Sequence, residues 1–529
     1  MSGSHRRRYG RTGLVTAASV VALALATVPS AAATVSSAAA AALPAADGAS
    51  ASSPTRADFD GDGRDDLAVG APGARIGGQE PAGAVVVRYT RSGLGNARLT
   101  QGSPGVPGRP EYYDEFGATL ASGDIDGDGF DDLVVSATDE RVGSVASAGR
   151  VSVLFGSATG LGRGVTIDQE TPGVPGSAGT KRFGHAVALG DADGDGHADL
   201  VVGVAWESEG GAAGGVIYIP GSAAGLDPAR SVLWSQASPG VAGVPEEGDN
   251  FGHRVAMGDL NGDGKDDLLV SARWDEYGTS YGVAHVLPGS SEGLTASGST
   301  LLTPRSRDAY FGLALSVGDL TGDGHAEAVV GVTRASAGDE TGPYEPNPEA
   351  LAVYRGSSTG VQPSSRVTWS TQSPGVPATG GALSFVSFGV GDVDGDGYGD
   401  LVAGTDKQRV VYLRGGRSGL TTAGAQVISQ NTAGMPGTRE RGDQFGSAVT
   451  LLDRNADGRA DVVIGAPRED VSGTVNAGMV TVVRGAATGI NGGGKAFTTA
   501  SLGLAPLAAT HRERLGHALA PTTSRVNDW

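Results

Sequence analysis

The sequence predicts an all-β chain built as a seven-bladed β-propeller, and three observations lead to that prediction. Gly accounts for 89 of the 529 residues and Pro for 26, and both residues disfavour long helices. A nine-residue acidic string occurs seven times at intervals of about 65 residues, the size of one four-stranded blade with generous loops. Each copy lies inside the same series of short apolar segments. The chain therefore reads as seven copies of one β-unit.

The N-terminus precedes the repeats and reads as an export signal. Residues 1–33 hold four arginines, an apolar run over residues 14–28 and three alanines at 31–33 in a cleavage pattern. A membrane anchor is the weaker alternative, since the apolar run is shorter than the roughly 18 residues that a span needs. Both Sec and twin-arginine export remain open. We therefore expect a secreted, extracellular protein without a membrane span.

The domain boundaries follow from composition. Residues 34–56 are rich in Ala and Ser, lack apolar periodicity and are expected to form a linker. The repeats occupy residues 57–522, which we assign to the propeller, and residues 523–529 form a short tail.

Within each unit the strands follow in a fixed order. The first alternates bulky and small residues, as in FGHAVALGD over 183–191, which is the period of a half-buried strand. The acidic string follows, and then an apolar strand such as DLVVSA over 132–137. A third strand such as GRVSVLFG over 149–156 leads through an SxxGL turn to a fourth. Four such strands form one antiparallel meander.

The two ends of the repeat region complement each other. The first acidic string has no alternating strand before it, and residues 515–519 form such a strand with no acidic string after it. We therefore expect the last strand to complete the first blade and to close the ring, which leaves no open sheet edge.

The acidic strings follow the pattern DxDxDGxxD, and we call them acidic loops 1 to 7, with positions 1 to 9. Short acids at positions 1, 3 and 5, a bend at the position-6 Gly, a carbonyl at position 7 and an acid at position 9 offer the hard oxygen ligands that Ca²⁺ prefers over Mg²⁺. The loop lacks the twelfth-position Glu of an EF-hand. Six loops are predicted calcium sites, with these residues: Asp58, Asp60, Asp62, Arg64 and Asp66; Asp124, Asp126, Asp128, Phe130 and Asp132; Asp191, Asp193, Asp195, His197 and Asp199; Asp259, Asn261, Asp263, Lys265 and Asp267; Asp392, Asp394, Asp396, Tyr398 and Asp400; Asp453, Asn455, Asp457, Arg459 and Asp461.

The loops differ in how well they fit the pattern. Plain Asp-Gly turns are the alternative, but four acids within nine residues repel each other unless a cation lies among them. Loops 1, 2, 3 and 6 have Asp at all four positions, whereas loops 4 and 7 carry Asn at position 3. Loop 5 runs from Asp319 to Glu327 with Thr321 at position 3, and we expect it to be weak or empty.

These units resemble FG-GAP repeats, the units of the integrin alpha-subunit propeller. The resemblance rests on the FG pairs at Phe116, Phe183, Phe251, Phe311 and Phe445, on the GAP pieces at 70–72 and 465–467, and on the acidic loops between them. The aligned pair of the sixth unit is Ser384-Phe385, and most units replace GAP. The resemblance implies a seven-bladed propeller with Ca²⁺ in hairpin loops and extracellular binding or adhesion.

Three sets of residues resemble functional motifs but occupy regular positions of the repeat. Residues 441–443 spell RGD, yet they occupy the segment before an FG pair. GSSEG from Gly289 and GSSTG from Gly356 match the nucleophile elbow, but they are SxxGL turns rather than strand-to-helix turns. Five histidines, listed here, fall at repeat positions, where packing or carbonyl ligation explains them: His185, His253 and His517 after the FG pair, and His197 and His325 at position 7. The sequence contains no catalytic constellation that we can identify.

The segments between the second and third strands vary most, and the antiparallel order places them on the face opposite the acidic loops. We expect a ligand there, because variable loops on a rigid scaffold carry recognition. The alternative, to which we give equal weight, is that these side chains only cover the core. The aromatic and acidic residues concerned are Tyr112, Tyr113, Asp114, Trp206, Glu207, Trp274, Asp275, Tyr277, Tyr281 and the insertion Glu340 to Glu349 with Tyr344.

Composition narrows the function. A formal charge of -19 speaks against nucleic acid, and the absence of Cys excludes disulfides and thiolate sites. The sequence therefore predicts a monomeric, secreted calcium-binding module for an extracellular carbohydrate or protein ligand. A polysaccharide lyase or hydrolase on the same scaffold is the alternative.

Overall fold

A computed structural model describes residues 57–179, 181–206, 213–277, 280–305, 309–334, 351–370, 373–377, 384–504 and 512–520. The predicted signal peptide, linker and tail lie outside the described residues, as do Glu207 and the insertion around Tyr344. The described part of the chain contains no helix with the length and apolar character that crossing a bilayer requires.

The described residues form 27 strands and two short 3₁₀ helices, at Pro228–Arg230 and Pro363–Ser365. The strands are β1 Leu67–Ala71, β2 Ala84–Arg88, β3 Ala97–Leu99, β4 Phe116–Gly123, β5 Asp132–Ala137, β6 Arg150–Leu154, β7 Gly164–Ile167, β8 Ala186–Gly190, β9 Asp199–Val204, β10 Gly215–Ile219, β11 Val232–Trp234, β12 Phe251–Gly258, β13 Asp267–Tyr277, β14 Ser280–Leu287, β15 Thr300–Leu302, β16 Ala309–Gly318, β17 Glu327–Arg334, β18 Leu351–Tyr354, β19 Val367–Trp369, β20 Phe385–Gly391, β21 Asp400–Thr405, β22 Val410–Arg414, β23 Thr421–Ile428, β24 Ala448–Leu452, β25 Asp461–Ala466, β26 Met479–Ala486 and β27 Gly489–Phe497.

Consecutive strands pair antiparallel in the predicted order, which confirms an all-β fold of propeller type. The sheets are β1–β3, β4–β7, β8–β11, β12–β19, β20–β23 and β24–β27. Five of them are separate meanders of three or four strands, so the predicted count of seven separate blades is not reproduced. The remaining sheet, β12–β19, has eight strands, because β14 and β16 meet in a parallel bridge between Tyr281 and Tyr310.

The FG pairs explain why the meanders pack side by side. Phe116 is fully buried, and its N–H donates to the carbonyl of Ala82 in the preceding sheet. Gly117 adopts a φ of +91°, and a Cβ there would lie 2.5 Å from the Ala84 carbonyl oxygen. Only Gly combines that backbone angle with so close an approach. The phenylalanines of the FG pairs at 183, 251, 311 and 445 are likewise fully buried.

Residues 512–520 make the contacts of an FG strand at the other end of the chain. Leu515 N–H donates to the Ala477 carbonyl, and Gly516 has a φ of +88°. Leu519 forms an antiparallel bridge with Val69 of β1. The C-terminal segment therefore lies against both the last sheet and the first.

One apolar cluster spans those two sheets. It joins Phe59 and Leu67 of the first repeat with Val463 and Val480 of the last, and Leu519 packs among them. Each of these side chains is at most 2% exposed. Burial of such side chains stabilises the fold by roughly 1.5–3 kcal/mol each.

Candidate metal centres and ligand-binding face

Acidic loops 2 to 7 connect the first and second strands of their repeats, as predicted, and loop 1 leads into β1. In loop 2, Asp124 accepts the N–H of Gly127 through Oδ1 (2.7 Å) and the N–H of Gly129 through Oδ2 (3.0 Å). The position-6 glycines all have a φ between +80° and +89°, which permits the sharp bend. The position-1 carboxylate thus organises the turn around itself.

The position-9 carboxylate fastens the loop to the third strand. Asp132 accepts the N–H of Ile125 (3.0 Å) and that of Gly156 (2.9 Å), and it is fully buried. Burial raises the pKa of Asp132 to about 8. Loops 3 and 6 repeat this arrangement and add a hydroxyl donor, Tyr218 at 2.9 Å and Tyr412 at 3.0 Å. These carboxylates lie in an environment that favours the charged form only if a positive charge is near.

Four loops bring three carboxylates together. Within each group one oxygen per residue lies within 4.8 Å of the others, and the four loops are those with Asp at positions 1, 3, 5 and 9. The groups are Asp58, Asp60 and Asp62; Asp124, Asp126 and Asp132; Asp191, Asp193 and Asp199; and Asp392, Asp394 and Asp400.

The predicted position-5 and position-7 residues have other contacts in most loops. Asp128 lies outside the group of loop 2 and accepts the N–H of Phe130 at 3.0 Å. Loop 1 differs, since its group contains Asp62 and excludes Asp66, which accepts the Thr90 N–H at 2.7 Å. The position-7 side chains pack over the preceding loop. For example, a Cβ on Gly61 would lie 2.6 Å from the Phe130 ring.

Loops 4, 5 and 7 hold no group of three such residues among the described part of the chain. Asn261 and Asn455 use their side-chain oxygens to accept the N–H of Asp263 (2.9 Å) and Asp457 (3.0 Å). In loop 5, Glu327 keeps the position-9 role and accepts the Leu320 N–H at 2.8 Å. These loops retain the turn while offering fewer converging carboxylates.

The position-3 carboxylates have oxygens that accept no hydrogen bond and are therefore available to a cation. Buried side-chain oxygens without a hydrogen-bond partner include Oδ2 of Asp60, Oδ1 of Asp126 and Oδ1 of Asp394. Desolvation, followed by the neighbouring Asp carboxylates, raises the pKa of each of these groups. A buried carboxylate oxygen without a donor is costly, and a bound Ca²⁺ satisfies it. The donor set therefore fits the ion that the sequence predicts.

An arginine from the third-to-fourth-strand hairpin stands beside each of these groups. In loop 6, Arg414 Nε lies 2.5 Å from Asp394 Oδ2, and its Nη2 lies 2.9 Å from Asp396. The arginines of loops 1, 2 and 3 lie 3.4–3.7 Å from the position-3 carboxylate: Arg91, Arg163 and Arg230. These guanidinium groups offset part of the negative charge and leave other oxygens facing the loop.

The sequence prediction missed the contribution of position 8, which joins neighbouring loops. The position-8 N–H of every loop donates to the position-1 carbonyl of the preceding loop, and loop 1 donates to loop 7. The seven hydrogen bonds run from Asp131 to Asp58 (3.1 Å), Ala198 to Asp124 (2.8 Å), Asp266 to Asp191 (2.8 Å), Ala326 to Asp259 (2.8 Å), Gly399 to Asp319 (2.9 Å), Ala460 to Asp392 (2.7 Å) and Asp65 to Asp453 (3.2 Å).

Where position 8 is Asp, its carboxylate adds a second contact. Asp65, Asp131 and Asp266 each accept the position-1 N–H of the neighbouring loop, at 2.8, 2.8 and 3.0 Å. The signal for this role was present in the sequence as the Asp-Asp doublet that ends loops 1, 2 and 4.

The opposite face carries exposed aromatic side chains, as the strand order predicts. Trp274 is 39% exposed and Tyr281 42% exposed. Their rings lie 6.4 Å apart, and Tyr310 completes a cluster at 5.5 Å from Trp274 and 5.8 Å from Tyr281. We call these three residues the aromatic cluster. Tyr310 was missed, since its place beside Tyr281 depends on the bridge between β14 and β16.

The other predicted residues of this face are scattered. Trp206 lies 4.8 Å from buried His185, and Tyr112 packs 4.1 Å from Tyr113. The side chain of Tyr277 lies outside the described residues.

A repeated buried contact between neighbouring repeats also lies on this face. Gln101, which follows β3, donates to Glu140 Oε2 at 2.6 Å, and the carboxyl group of Asp114 lies beside the same Glu140. Burial raises the pKa of Asp114 to about 7. The same glutamine contact, at 2.6 Å, recurs for Gln236 with Asp275 and for Gln430 with Glu469.

The three repeat-derived motifs occupy structural positions. Asp443 of the RGD triplet is 3% exposed and accepts the Glu440 N–H, so its carboxylate is turned inward. The GSSEG and GSSTG segments lie between paired strands of meanders, and Ser290 and Ser357 Oγ donate to glycine carbonyls within the turn. His253 is 1% exposed, and this burial holds its pKa well below the usual value.

Comparison with known proteins supports this architecture. The FG-GAP repeat family matches residues 50–87, 116–154, 183–219, 251–287 and 445–483, so five of the seven predicted units are recognised, and those beginning at Phe311 and Ser384 are not. Integrin alpha-PS5 of Drosophila melanogaster is 34% identical over 173 residues, which are 31% of this chain and 16% of the relative.

Two further relatives match at a similar level. Integrin alpha-PS2 of Drosophila melanogaster is 33% identical over 224 residues, covering 41% of this chain and 14% of the relative. Phosphatidylinositol-glycan-specific phospholipase D of Rattus norvegicus is 36% identical over 163 residues, covering 30% and 19%. Each match spans less than a fifth of the relative's length. The chain therefore contains FG-GAP repeats in these five places and is similar to integrin alpha subunits.

Proposed function

We propose that the chain is a secreted, calcium-stabilised propeller that binds an extracellular carbohydrate or protein through the face opposite the acidic loops. The proposal has three parts, namely a closed ring of seven blades, Ca²⁺ in the acidic loops, and a ligand on the variable face. The observation that carries the ligand-binding function is the aromatic cluster, in which the side chains of Trp274 and Tyr281 are exposed on a rigid scaffold.

Closure into seven blades is supported by the hydrogen bonds between acidic loops. A series of seven equivalent bonds that returns from loop 7 to loop 1 requires the first and last repeats to be neighbours. The contacts of Leu515 and Leu519 with both ends of the repeat region favour the same arrangement. On this proposal β12–β15 and β16–β19 are two blades joined by one bridge.

Calcium in loops 1, 2, 3 and 6 is supported by the converging carboxylates, and in loops 1, 2 and 6 also by an unpartnered position-3 oxygen. Bound Ca²⁺ would supply positive charge that neutralises these groups and holds each hairpin in place. The protein, loaded with Ca²⁺ and then desalted, is expected to retain about four ions per chain by elemental analysis. Retention of none would contradict the proposal, and retention of six or seven would extend it to the loops with fewer carboxylates.

The ligand face is supported by chemistry as well as position. Aromatic rings stack on the apolar faces of sugars and also dominate protein interfaces, and large rings are rarely left exposed without a role. Glu276 is exposed two residues after Trp274 in β13 and supplies a hydrogen-bond acceptor, whereas Asp275 already accepts from Gln236.

A binding screen against cell-wall material, polysaccharides and extracellular proteins tests this function. The Trp274→Ala, Tyr281→Ala variant is expected to lose the interaction, whereas Val232→Ala, which removes an exposed apolar side chain from the outer strand β11, keeps it. Unchanged binding by the aromatic variant would exclude the cluster as the site.

The enzyme alternative is tested in the same screen. Release of reducing or unsaturated products from a polysaccharide, abolished by one substitution outside the acidic loops, would replace the binding module with a lyase or hydrolase. No product with any polysaccharide that the protein binds is the outcome that our proposal predicts.

A further inference from the structure

The ligand-binding face contains a second, chemically different recess. Its volume is about 360 Å³, and it lies where three stretches of chain meet: the segment before β24, the connection between β25 and β26, and the segment before Leu515. We call it the arginine recess. Its basic side chains are Arg441, Arg468, Arg512 and Arg514.

The positive charge in the recess is largely unpaired. Arg514 lies 3.8 Å from Glu115, but Arg441, Arg468 and Arg512 are exposed and have no described carboxylate within ion-pair distance. This is unusual in a chain with a formal charge of -19, where acids outnumber bases. The lining sets four arginines against three acids, and it therefore keeps an excess positive charge in an otherwise acidic chain.

Two of the three acids of the recess accept backbone N–H groups from other lining residues. Asp443 is buried and accepts the Glu440 N–H, and Asp470 accepts the Asn476 N–H at 2.8 Å. The remaining acid is Glu440, which is exposed. Backbone hydrogen bonds therefore hold two of the three carboxylates in place, whereas the guanidinium groups of Arg441, Arg468 and Arg512 have no ion-pair partner among the described residues.

The lining favours a polar ligand over a protein surface. Val475 is the one apolar side chain among the lining residues, and no aromatic ring contributes. Stable protein interfaces need buried aromatic or aliphatic anchors, which this recess lacks. The planar fork of Arg instead matches the oxygens of carboxylate and sulfate groups.

We propose that the arginine recess binds the carboxylate or sulfate groups of an acidic polysaccharide. This inference rests on the proposed function and specifies its ligand class: the aromatic cluster would contact sugar rings, and the recess would select an anionic chain.

The test compares four probes with the full chain in Ca²⁺: polygalacturonate for carboxylates, heparin for sulfates, dextran as a neutral polysaccharide, and poly-glutamate as an acidic polypeptide. Polygalacturonate or heparin is expected to bind at least tenfold more tightly than dextran, with affinity that falls as salt rises. Which of the two binds distinguishes a uronate from a sulfated chain.

Variants locate the site. Arg468→Gln and Arg512→Gln together are expected to weaken binding of the acidic polysaccharide at least tenfold, which corresponds to about 1.4 kcal/mol. Arg417→Gln removes one positive charge, as each recess substitution does, at an exposed position in the β22–β23 hairpin on the acidic-loop face, and it is expected to leave binding unchanged. Retained binding by the double variant would overturn the inference.

The remaining outcomes separate the two proposals. Binding of dextran alone, lost in the Trp274→Ala, Tyr281→Ala variant, would overturn the recess inference and leave the proposed function standing. Binding of poly-glutamate with the same dependence on Arg468 and Arg512 would assign the recess to an acidic protein and overturn the polysaccharide. Binding of no polysaccharide would overturn the inference as well.

Discussion

Removal of Ca²⁺ should lower the Tm of this protein, and the size of the decrease should depend on how many acidic loops bind the ion. Four acidic loops bring three carboxylates within 4.8 Å of one another, and three of them bury an unpartnered position-3 oxygen. Without a cation, desolvation raises the pKa of the position-3 carboxyls, so these groups oppose folding at neutral pH. A cation that binds only the folded state removes that penalty.

The size of the effect follows from linkage. At a free Ca²⁺ concentration 100 times the dissociation constant, one site stabilises the folded state by about 2.7 kcal/mol, so four independent sites give about 11 kcal/mol. Residues 57–520 correspond to an unfolding entropy on the order of 1 kcal/mol per kelvin near the midpoint. The expected shift in Tm is therefore about 11 °C for four sites and about 3 °C for one.

Differential scanning calorimetry with Ca²⁺ and with a chelator measures the shift. Asp394→Asn in loop 6 is expected to reduce the Ca²⁺-dependent shift by about a quarter, as one site of four is weakened. Thr321→Ala, the matched change at position 3 of loop 5, should leave the shift as in the parent, because that loop holds no convergent group. A Tm that is the same with Ca²⁺ and with chelator would refute the reasoning.

Three further predictions concern stability. With saturating Ca²⁺, the free energy of unfolding should fall as the pH rises from about 5 to about 7, because burial raises the pKa of Asp114 to about 7 and so favours its neutral form in the folded state. Urea titrations at the two ends of this pH range measure the change, and Asp114→Asn should make it smaller. Ala456 occupies position 4 of loop 7 with a φ of +54°, where the other six loops have Gly, so Ala456→Gly should raise the urea midpoint by the equivalent of about 0.5–1 kcal/mol, and a lower midpoint would contradict the strain argument. Deletion of residues 512–529 removes buried Leu515 and Leu519 and should cost at least about 4 kcal/mol by the same assay, while an unchanged midpoint would argue against ring closure.

The strand order and the acidic turns could be predicted from sequence because they depend on local periodicity. FG glycines with positive φ and position-6 glycines in the loops follow from short-range patterns that repeat along the chain. Contacts between units could not be predicted in the same way. Tyr310 joins the aromatic cluster only because β14 and β16 meet, and Asp266 contacts Asp191, 75 residues earlier in the chain.

The division of the carboxylates among positions also escaped prediction. The pattern offers four acids per loop as equivalent oxygen donors, yet the structure gives each position a separate task. Asp132 accepts the Ile125 N–H of loop 2 with one oxygen and the Gly156 N–H just after strand β6 with the other, and Asp128 accepts a local N–H. Asp126 alone keeps a buried oxygen without a partner. Backbone donors, which every sequence contains and no side-chain pattern reveals, decide which carboxylates remain for a cation.

The order of the loops along the chain predicts that Ca²⁺ binding is coupled among loops 1, 2 and 3 and independent in loop 6. Loops 1, 2 and 3 are consecutive, whereas loop 6 lies between loops 5 and 7, which lack convergent groups. Neighbouring loops share a backbone hydrogen bond, and a Cβ on Gly127 of loop 2 would lie 2.9 Å from the His197 ring of loop 3, so ordering one loop restrains the next. By calorimetric titration, Asp126→Asn in the middle of the consecutive set should therefore remove binding heat equivalent to more than one site, and Asp394→Asn that of one site. Equal losses in the two variants would show that the loops fill independently and that the shared hydrogen bonds carry no coupling.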